Sequence, residues 1–297
     1  MMFGVTNLLR ALKFRSDDSG SRPVGALAGA AVLGRRALAP VASLAYRWYG
    51  KRLLAEVRIY DLPGHVAMIL DGNRRFARMS GLADPSDGYR YGARKVREVI
   101  DWCDELAIPV VTLWGISTDN LQRSPSELSK IFESIGAQLD ALSQQTSDRF
   151  PLRKIQAVGR LELLDEQLRN KIQDAERRTA GYGPGVLNVA VAYGGRDEIL
   201  DAVGRMLRTR GAQGASATEI AADLSSESFQ PYLYAPDIPE PDLIVRTSGE
   251  IRLSGFMLWQ SVYSELYFSD VPWPAFRKID FLRAIRSFQV RRRRYGK

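Results

Sequence analysis

The stretch HVAMILDGNRR, residues His65–Arg75, joins a run of apolar residues to a cluster of polar ones. The run His65–Leu70 has the length and the flanking turn residues of a buried β-strand. Asp71-Gly72-Asn73-Arg74-Arg75 then offers a carboxylate, a flexible glycine, an amide and two guanidinium groups. Because open α/β sheets bind ligands beyond the carboxyl ends of their strands, this stretch predicts a strand that ends at a binding site.

Short apolar runs alternate with segments of helical periodicity over the rest of the chain. Further strands are predicted at residues 108–116, 152–158, 186–193, 243–245 and 263–268. Helices are predicted at residues 93–106 and near residues 216–224. Three others are predicted to begin at a Ser124 capping box with Pro125 at the first helical position, after Arg196, and at Asp280. A further helix is predicted to end at residue 180. In the helix after Arg196 the residues predicted to face inward are Ile199, Leu200, Val203, Met206 and Leu207. The alternation predicts one α/β domain, a largely parallel β-sheet flanked by helices.

The N-terminal residues 1–36 differ from the rest in composition. Residues 1–15 place apolar side chains beside Arg10, Lys13 and Arg15, a basic amphipathic pattern typical of helices that lie on membrane surfaces. The apolar runs that follow are shorter than the ~18–20 residues needed to span a bilayer. We therefore predict an extension, residues 1–36, that is either loosely packed or in peripheral membrane contact, ahead of a folded domain, residues 37–297.

The overall charge of the chain favours anionic partners. Its 297 residues include 42 Lys and Arg against 34 Asp and Glu, a net charge of +8, and 45% are hydrophobic. This globular composition excludes collagen-like, wholly disordered and disulfide-rich chains. Most of the basic residues are arginines, whose guanidinium groups suit diphosphates, nucleotides, nucleic acid or anionic membranes.

Cysteine and histidine are almost absent. The single Cys103 and the single His65 exclude an internal disulfide and a His/Cys zinc cluster, and both are predicted to be structural core residues. A metal bound through oxygen ligands stays open. Since no secretory signal is convincing, the protein is predicted to be cytoplasmic, with membrane association through the extension left open.

Several common chemistries lack their motifs. The sequence has no GxxxxGK[ST] loop and no GxGxxG after a strand, so the usual phosphate cradles for nucleotide hydrolysis and dinucleotide binding are missing. It has no GxSxG elbow, which argues against a Ser-His-Asp hydrolase. No Asp-Asp-x-x-Asp cluster is present, which excludes the all-helical synthases that hold Mg²⁺ with such clusters.

Polar clusters follow several of the predicted strands. Asp71–Arg75 follows the first strand, Ser117, Asn120 and Arg123 follow the second, and Arg246, Arg252 and Ser254 follow a later one. A carboxylate beside exposed backbone N–H groups suits a metal ion and a phosphate. Two separate arginine clusters predict two separate phosphate sites.

These clusters lie within longer motifs. The motifs are HVAMILDGNRRFA at 65–77, STDNLQR at 117–123, a stretch at 188–196 that ends in YGGR, DLIVRTSGE at 242–250, and LWQ at 258–260 with YSEL at 263–266. In this order, over about residues 62 to 296, they resemble the motifs of the cis-prenyltransferases, the undecaprenyl diphosphate synthase family.

The resemblance implies an enzyme that condenses isopentenyl diphosphate with an allylic diphosphate to form a Z double bond, with Mg²⁺ as cofactor. Its implied catalytic residues are Asp71, Asn73, Ser117 and Asn120, and the implied metal ligands are Asp71 and Glu265. The allylic diphosphate is expected on Gly72, Arg74, Arg75, Phe76 and Arg123, and isopentenyl diphosphate on Arg246, Arg252 and Ser254. The helices that begin near residues 93 and 125 are expected to form an apolar tunnel over Leu113 and Gly115.

Two departures bear on product length and disagree. Tyr89 stands where the family commonly has a histidine, and the basic residue that usually precedes it is absent. This pattern resembles the short-chain branch known from actinobacteria, which makes Z,E-farnesyl diphosphate. Gly115, by contrast, is a small residue on a tunnel strand and favours elongation. We predict the short product and keep a long-chain carrier-lipid synthase as the alternative.

The C-terminus carries a further motif. Arg294-Tyr295-Gly296 matches an Arg-x-Gly tail that in some relatives binds substrate across a homodimer interface, so Arg294, Gly296 and a homodimer are implied by the resemblance.

Two alternative functions stay open: irregular coupling of two dimethylallyl units, and a non-catalytic subunit of a heteromeric synthase. The intact Asp71, Asn73, Arg75 and Glu265 argue against the latter. Nucleic-acid binding has only the net charge in its favour, with no recognisable motif.

Overall fold

The computed structural model describes residues 46–144 and 152–295, without the side chains of residues 292–295. The chain divides into two units, residues 1–49 and 50–297. In the first unit the described residues 46–49 are helical, and the second begins with helical residues 50–57, named α1. The predicted extension, residues 1–36, lies outside the described residues, so its boundary stays a prediction. Within the described ranges, no helix is both long and apolar enough to cross a membrane.

Parallel strands form a six-stranded sheet in the order β3-β4-β2-β1-β5-β6. The strands are β1 (His65–Ile69), β2 (Val110–Ser117), β3 (Lys154–Val158), β4 (Val186–Tyr193), β5 (Leu243–Arg246) and β6 (Glu265–Phe268). β1 and β5 are buried along their whole length, as strands covered by helices on both faces must be. The predicted fold class, a parallel sheet flanked by helices, is confirmed.

Helices connect the successive strands from β1 to β5, and a last helix follows β6. They are α2 (Asn73–Met79), α3 (Gly88–Glu105), α4 (Pro125–Ser143), α5 (Glu166–Thr179), α6 (Gly195–Ala212), α7 (Ala217–Ala222), α8 (Ser226–Phe229) and α9 (Lys278–Tyr295). Single 3₁₀ turns occur at Pro85–Asp87, Asp119–Gln122, Leu161–Leu163, Gln230–Tyr232 and Trp273–Ala275. Because all strands are parallel, their carboxyl ends meet at one edge of the sheet, where Ile69 is in register with Trp114 and Arg246.

The segment after β1 is more helical than predicted. Helix α2 occupies a stretch predicted only to be polar, and α3 begins at Gly88 instead of Ala93. Glycines permit this packing, since a Cβ on Gly88 would lie 2.1 Å from the carbonyl oxygen of Asn73. A Cβ on Gly92 would lie 2.0 Å from Oδ1 of Asn73. The first turns of α3 therefore press against the start of α2.

The predicted inward face of α6 is wrong in part. Met206 is buried, but Leu200 is 66% exposed, and Val203 and Leu207 are also exposed. The stripe 199, 202 and 206 has the same helical spacing as the stripe 200, 203 and 207. Ala202, which is fully buried, decides between them, and a small residue gives little hydrophobic signal.

The start of α4 also differs from its prediction. Ser124 accepts a hydrogen bond from the Glu127 backbone N–H at 3.4 Å, and Pro125 occupies the first turn, as predicted. The Glu127 carboxylate does not complete a capping box by returning to Ser124. It accepts a hydrogen bond from the Tyr89 hydroxyl at 2.7 Å instead. A residue expected to cap a helix therefore contributes to the candidate site.

The predicted core roles of His65 and Cys103 are confirmed. Both side chains are fully buried. The His65 ring nitrogens lie 2.6 Å from the Pro239 carbonyl oxygen and 2.7 Å from Thr112 Oγ1. Burial lowers the pKa of His65 to about 4 and raises the pKa of Cys103 to about 12. Neither group is poised for chemistry at neutral pH.

Candidate active site

The carboxyl edge of the sheet encloses a polar cavity of about 590 Å³. It is formed where β1, β2 and β5 end, so the sheet brings together clusters that lie up to about 180 residues apart in the chain. The predicted site residues that line it are Asp71, Gly72, Asn73, Arg74, Arg75, Ser117, Asn120, Arg123, Arg246 and Ser254. Arg78, which is not among the predicted site residues, adds a further guanidinium group. This excess of cationic side chains suits anionic ligands.

An ion pair joins two of the clusters. Arg246 is 5% exposed, and its Nη2 donates to Oδ2 of Asp71 at 2.8 Å. Its Nη1 donates to Ser254 Oγ at 2.7 Å and to the Arg252 carbonyl oxygen. Asp71 is more open, with 38% of its side chain exposed at the cavity. The buried guanidinium is therefore fixed, and the carboxylate is accessible to a ligand.

Gly72 brings these clusters into contact. Its φ of 101° lies in the left-handed region, and it precedes α2. A Cβ at this position would lie 2.8 Å from Ser248 Cβ and 2.9 Å from Pro272 Cα. The loop after β5 can therefore approach the loop after β1 only because residue 72 is a glycine.

Arg75 crosses to the same neighbouring loop. Its Nη1 donates to the Ser248 carbonyl oxygen, and its Nη2 lies 3.6 Å from Oε1 of Glu250. Ser248 has a φ of 77°, a conformation uncommon for a residue with a side chain. Asn73 is anchored differently, because its Nδ2 donates to the Leu70 carbonyl oxygen at 3.0 Å. The first cluster is therefore held in place from both sides.

The second cluster is ordered by short local contacts. Ser117 Oγ accepts hydrogen bonds from Asn120 Nδ2 at 2.7 Å and from the Asn120 backbone N–H at 3.1 Å. Arg123 Nη1 donates to Oε1 of Glu127 at 3.0 Å and also to the Tyr89 hydroxyl. Burial and the hydrogen bond to Glu127 raise the pKa of Tyr89, so its hydroxyl stays protonated.

The Tyr89–Glu127–Arg123 contact was not foreseen. From the sequence, Tyr89 is only a departure from the family pattern, and Glu127 is only a predicted capping residue. The sequence signal that was available is the tyrosine itself, a hydroxyl where a relative carries an imidazole. Arg74 Nη1 also lies 3.7 Å from Glu127 Oε1, so this carboxylate faces two of the predicted diphosphate-binding arginines.

An apolar cavity of about 80 Å³ adjoins the polar one. Leu70, Asn73, Tyr89, Gly115 and Ile131 line both cavities. The apolar cavity continues between α3, α4 and the sheet, along Val96, Leu113, Ile135, Leu139, Leu142, Leu187 and Val189. The predicted tunnel over Leu113 and Gly115 therefore has a counterpart in the structure, and it opens beside the diphosphate-binding groups.

Asp71 fits a role as a Mg²⁺ ligand, but Glu265 does not join it within one chain. Mg²⁺ is commonly held by one or two carboxylates together with substrate phosphates, which suits the exposed Asp71 carboxylate. Glu265 begins β6 and therefore lies about 10 Å along the strand from the carboxyl edge. Its Oε2 lies 3.0 Å from Arg291 Nη1. Within the described ranges, no group of three His, Cys, Asp or Glu side chains could hold a metal ion.

Four other predicted residues lie apart from the cavity or outside the description. Phe76 packs against Tyr91, with ring centroids 5.6 Å apart. The Arg252 side chain is 64% exposed and pairs with Glu250 at 2.6 Å. Gly296 lies outside the described residues, as does the side chain of Arg294. Arg252 contributes its carbonyl oxygen to Arg246, a backbone role that the sequence could not reveal.

Known proteins are similar to this chain in both sequence and fold. The family model described as "Putative undecaprenyl diphosphate synthase" matches residues 69–296. The chain is 49% identical over 252 residues to a (2Z,6E)-farnesyl diphosphate synthase of Thermobifida fusca, covering 84% of this chain and 96% of the relative. It is 48% identical over 255 residues to a tritrans,polycis-undecaprenyl-diphosphate synthase of Methanopyrus kandleri, covering 85% and 91%.

A solved structure agrees with these sequence matches. The crystal structure of lavandulyl diphosphate synthase from Lavandula x intermedia, in complex with dimethylallyl diphosphate, matches with a TM-score of 0.71 and 30% identity. The match covers 77% of this chain and 95% of that one. The family model, the sequence relatives and the fold thus agree with the motifs gathered at the cavity. The chain belongs to the undecaprenyl diphosphate synthase family, the cis-prenyltransferases, and is an isoprenyl transferase.

Proposed function

We propose that the enzyme condenses isopentenyl diphosphate with geranyl diphosphate and releases Z,E-farnesyl diphosphate. The observation that carries this proposal is the junction of the two cavities. A polar cavity lined by Asp71 and several arginines suits two diphosphates, and the adjoining apolar cavity suits a short hydrocarbon chain.

The allylic diphosphate binds at Arg75 and Arg123, beside Asp71. These side chains line the polar cavity next to the apolar one, so a prenyl chain can extend from the diphosphate into the space between α3 and α4. Isopentenyl diphosphate binds at Arg246 and Ser254, and Arg252 supports this site through its carbonyl oxygen, which accepts from Arg246. Each charge-assisted contact to an arginine is worth about 1.5–3 kcal/mol, so loss of one arginine raises KM.

Asp71 holds Mg²⁺ in this proposal. The ion, when bound, neutralises the charge that develops on the leaving diphosphate. Asp71 orients Arg246 through Oδ2, so the same carboxylate links the two diphosphate sites. Ser117 and Asn120 face the cavity near the point where the new bond forms.

The size of the apolar cavity favours a short product. The apolar cavity is the smaller of the two, about 80 Å³ against about 590 Å³ for the polar one. Leu139, Leu142, Leu187 and Val189 line the apolar cavity but not the polar one, so they face the part of it that lies farther from the diphosphate-binding groups. A long polyprenyl chain requires more space than these side chains leave. The small residue at position 115 therefore does not imply a long tunnel.

Product analysis tests this proposal. Purified protein is incubated with Mg²⁺ and isopentenyl diphosphate, together with dimethylallyl, geranyl or E,E-farnesyl diphosphate, and products are resolved by mass and double-bond geometry. We expect one fifteen-carbon Z,E product from geranyl diphosphate. A ladder of long products from farnesyl diphosphate would instead identify a carrier-lipid synthase. Product from dimethylallyl diphosphate in a parallel incubation without isopentenyl diphosphate would identify irregular coupling.

We also propose a homodimer in which the C-terminal Arg294-Tyr295-Gly296 of one chain completes the partner's site. The contact between Arg291 and Glu265 supports this, because it holds the end of α9 at the opposite edge of the sheet from the chain's own cavity. Asp71→Asn and Arg294→Ala chains are co-expressed to test it. If the tail acts across the interface, mixed dimers contain one intact site and recover activity that neither variant has alone. Absence of recovery in isolated mixed dimers would mean that the tail serves its own chain.

A further inference from the structure

The pair Gly194-Gly195, at the carboxyl end of β4, has no role in the function proposed so far. Helix α6 begins at Gly195, at the same edge of the sheet as the polar cavity. Neither glycine has room for a side chain. A Cβ on Gly194 would lie 2.5 Å from Asp197 Oδ2 and 2.8 Å from Thr118 Oγ1, and a Cβ on Gly195 would lie 2.6 Å from the Gly255 carbonyl oxygen. The start of α6 is therefore fitted between two loops of the site.

One of these loops carries Ser117 and Asn120. Ser117, Asp119 and Asn120 line the polar cavity, whereas the Thr118 hydroxyl turns toward α6 and donates to Asp197 Oδ2 at 2.7 Å. This hydrogen bond links the loop to α6 beside Ser117 and Asn120, the two side chains of the loop that must face the substrate. The loop is otherwise held by its own turn contacts, such as the Leu121 N–H to the Thr118 carbonyl oxygen at 3.0 Å.

Asp197 is itself firmly held. Arg160 Nη1 lies 3.0 Å from Asp197 Oδ1, and Arg160 is bound by both carboxylate oxygens of Asp201 at 2.9 Å. The Tyr234 hydroxyl donates to Asp201 at 2.5 Å. Asp197 also lies in the first turn of α6, where the helix dipole favours a negative charge. The Asp197 carboxylate, which accepts the hydrogen bond from Thr118, therefore has little freedom to move.

The other loop belongs to the Arg246 cluster. The Gly195 N–H donates to the Gly255 carbonyl oxygen at 2.8 Å, next to Ser254, which holds Arg246. The first turn of α6 thus touches the loop that carries Ser117 and Asn120 on one side and the loop of the second diphosphate site on the other. It sets the spacing between them.

We propose that Asp197 is a positioning residue for the condensation, acting through Thr118 to aim Ser117 and Asn120 at the reacting atoms. The proposal rests on the proposed function. Misplacing a catalytic group by about 1 Å can slow a reaction about 100-fold, so the effect belongs in kcat. The diphosphate-binding arginines are untouched, so both KM values should stay within about twofold of the wild-type values.

Variants of the pair test this inference. Thr118→Val keeps the shape and removes the donor, and Asp197→Ala removes the acceptor. Each should lower kcat about 10–100-fold, and the double variant should lose no more than either single one. Thr118→Ser restores the hydroxyl and should retain kcat within about twofold. The matched control is Asp201→Asn, one turn further along α6, which removes a negative charge beside Arg160 but keeps an oxygen that can accept from Arg160 and leaves the Thr118 contact.

Hydrogen exchange provides a second readout that does not depend on turnover. Backbone amides of residues 119–123 should exchange about fivefold faster in Thr118→Val and Asp197→Ala than in the wild type or Asp201→Asn, the change expected for one net hydrogen bond. Unchanged exchange, additive losses of kcat, or an equal loss in Asp201→Asn would overturn the inference. If the wild type forms no product while the exchange pattern appears, the proposed reaction fails and the positioning contact stands.

Discussion

Asp71 has two partners in the proposed site, and a single substitution separates them. Asp71→Asn keeps an oxygen that can accept from Arg246, so the buried guanidinium stays bonded and the fold survives. The loss of the carboxylate charge removes the metal ligand. We expect kcat to fall at least about 100-fold, with KM values little changed, in steady-state assays at saturating Mg²⁺.

The control for Asp71 is Asp84→Asn, which neutralises an exposed carboxylate bound to Lys130. It should leave kcat within about threefold of the wild type, because Asp84 does not line the polar cavity. Wild-type turnover in Asp71→Asn would remove the metal-binding role from Asp71.

His65 gives the protein a stability that depends on pH. Its pKa in the folded state is about 4, below the ordinary 6.5, because burial disfavours the imidazolium form. Below pH 6.5 the unfolded chain binds a proton that the folded chain does not, so stability falls as the pH drops toward 4. At about 1.4 kcal/mol for each pH unit, the free energy of unfolding should fall by about 2–3 kcal/mol between pH 7 and pH 4.5.

Urea unfolding of the wild type and of His65→Gln, at both pH values, measures this contribution. The glutamine variant lacks the titrating ring, so its stability should fall by about 2–3 kcal/mol less over the same range. Equal losses in the two proteins would assign the acid sensitivity to other groups.

At the scale of single elements, we expect α4 and β2 to set product length. Gly115 faces the cavity from β2, and a Cβ there would lie 3.4 Å from Ile135 Cδ1 on α4. Gly115→Leu should fill the apolar cavity, so that geranyl diphosphate is a poor primer and ten-carbon products accumulate. Leu142→Ala, on the same cavity further along α4, should admit longer chains.

Mass spectrometry of the products from each variant distinguishes these outcomes. Leu→Ala substitutions in a core typically lower the free energy of unfolding by about 2–5 kcal/mol. Because Leu142 is only half-buried, the loss for Leu142→Ala should lie near or below the low end of this range. Circular dichroism at the assay temperature controls for loss of fold. Unchanged product length in both variants would place the length-setting residues outside this cavity.

The elements also show what a sequence can and cannot predict. β4, at Val186–Tyr193, matches its prediction residue for residue, because the run is short, rich in valine and bounded by Gly185 and Gly194. The face of α6 was ambiguous because two stripes share one spacing. The residues that gather at the cavity were identified from strand ends and family motifs, but the Asp197–Thr118 and Tyr89–Glu127 contacts depend on side chains from separate elements. No local pattern encodes them.

For the whole molecule, the outstanding prediction concerns residues 1–36. We expect a chain that lacks them to keep its turnover, since the polar and apolar cavities are built from later residues. It should lose the binding to vesicles of anionic lipid that basic amphipathic segments provide. Co-sedimentation of both chains with such vesicles, at low and high salt, is the measurement. Equal sedimentation would assign membrane binding to the folded domain or exclude it.

The sheet order has a consequence for how the chain matures. β1 lies between β2, about 45 residues away in the chain, and β5, about 180 residues away. Pairings of such high sequence separation form late, because a long loop must close before any contact rewards it. On the ribosome, Arg246 cannot meet Asp71 until most of the chain has been synthesised. In refolding, hydrogen-exchange protection of β1 and β2 should therefore precede the return of activity, and the delay would report the docking of β5.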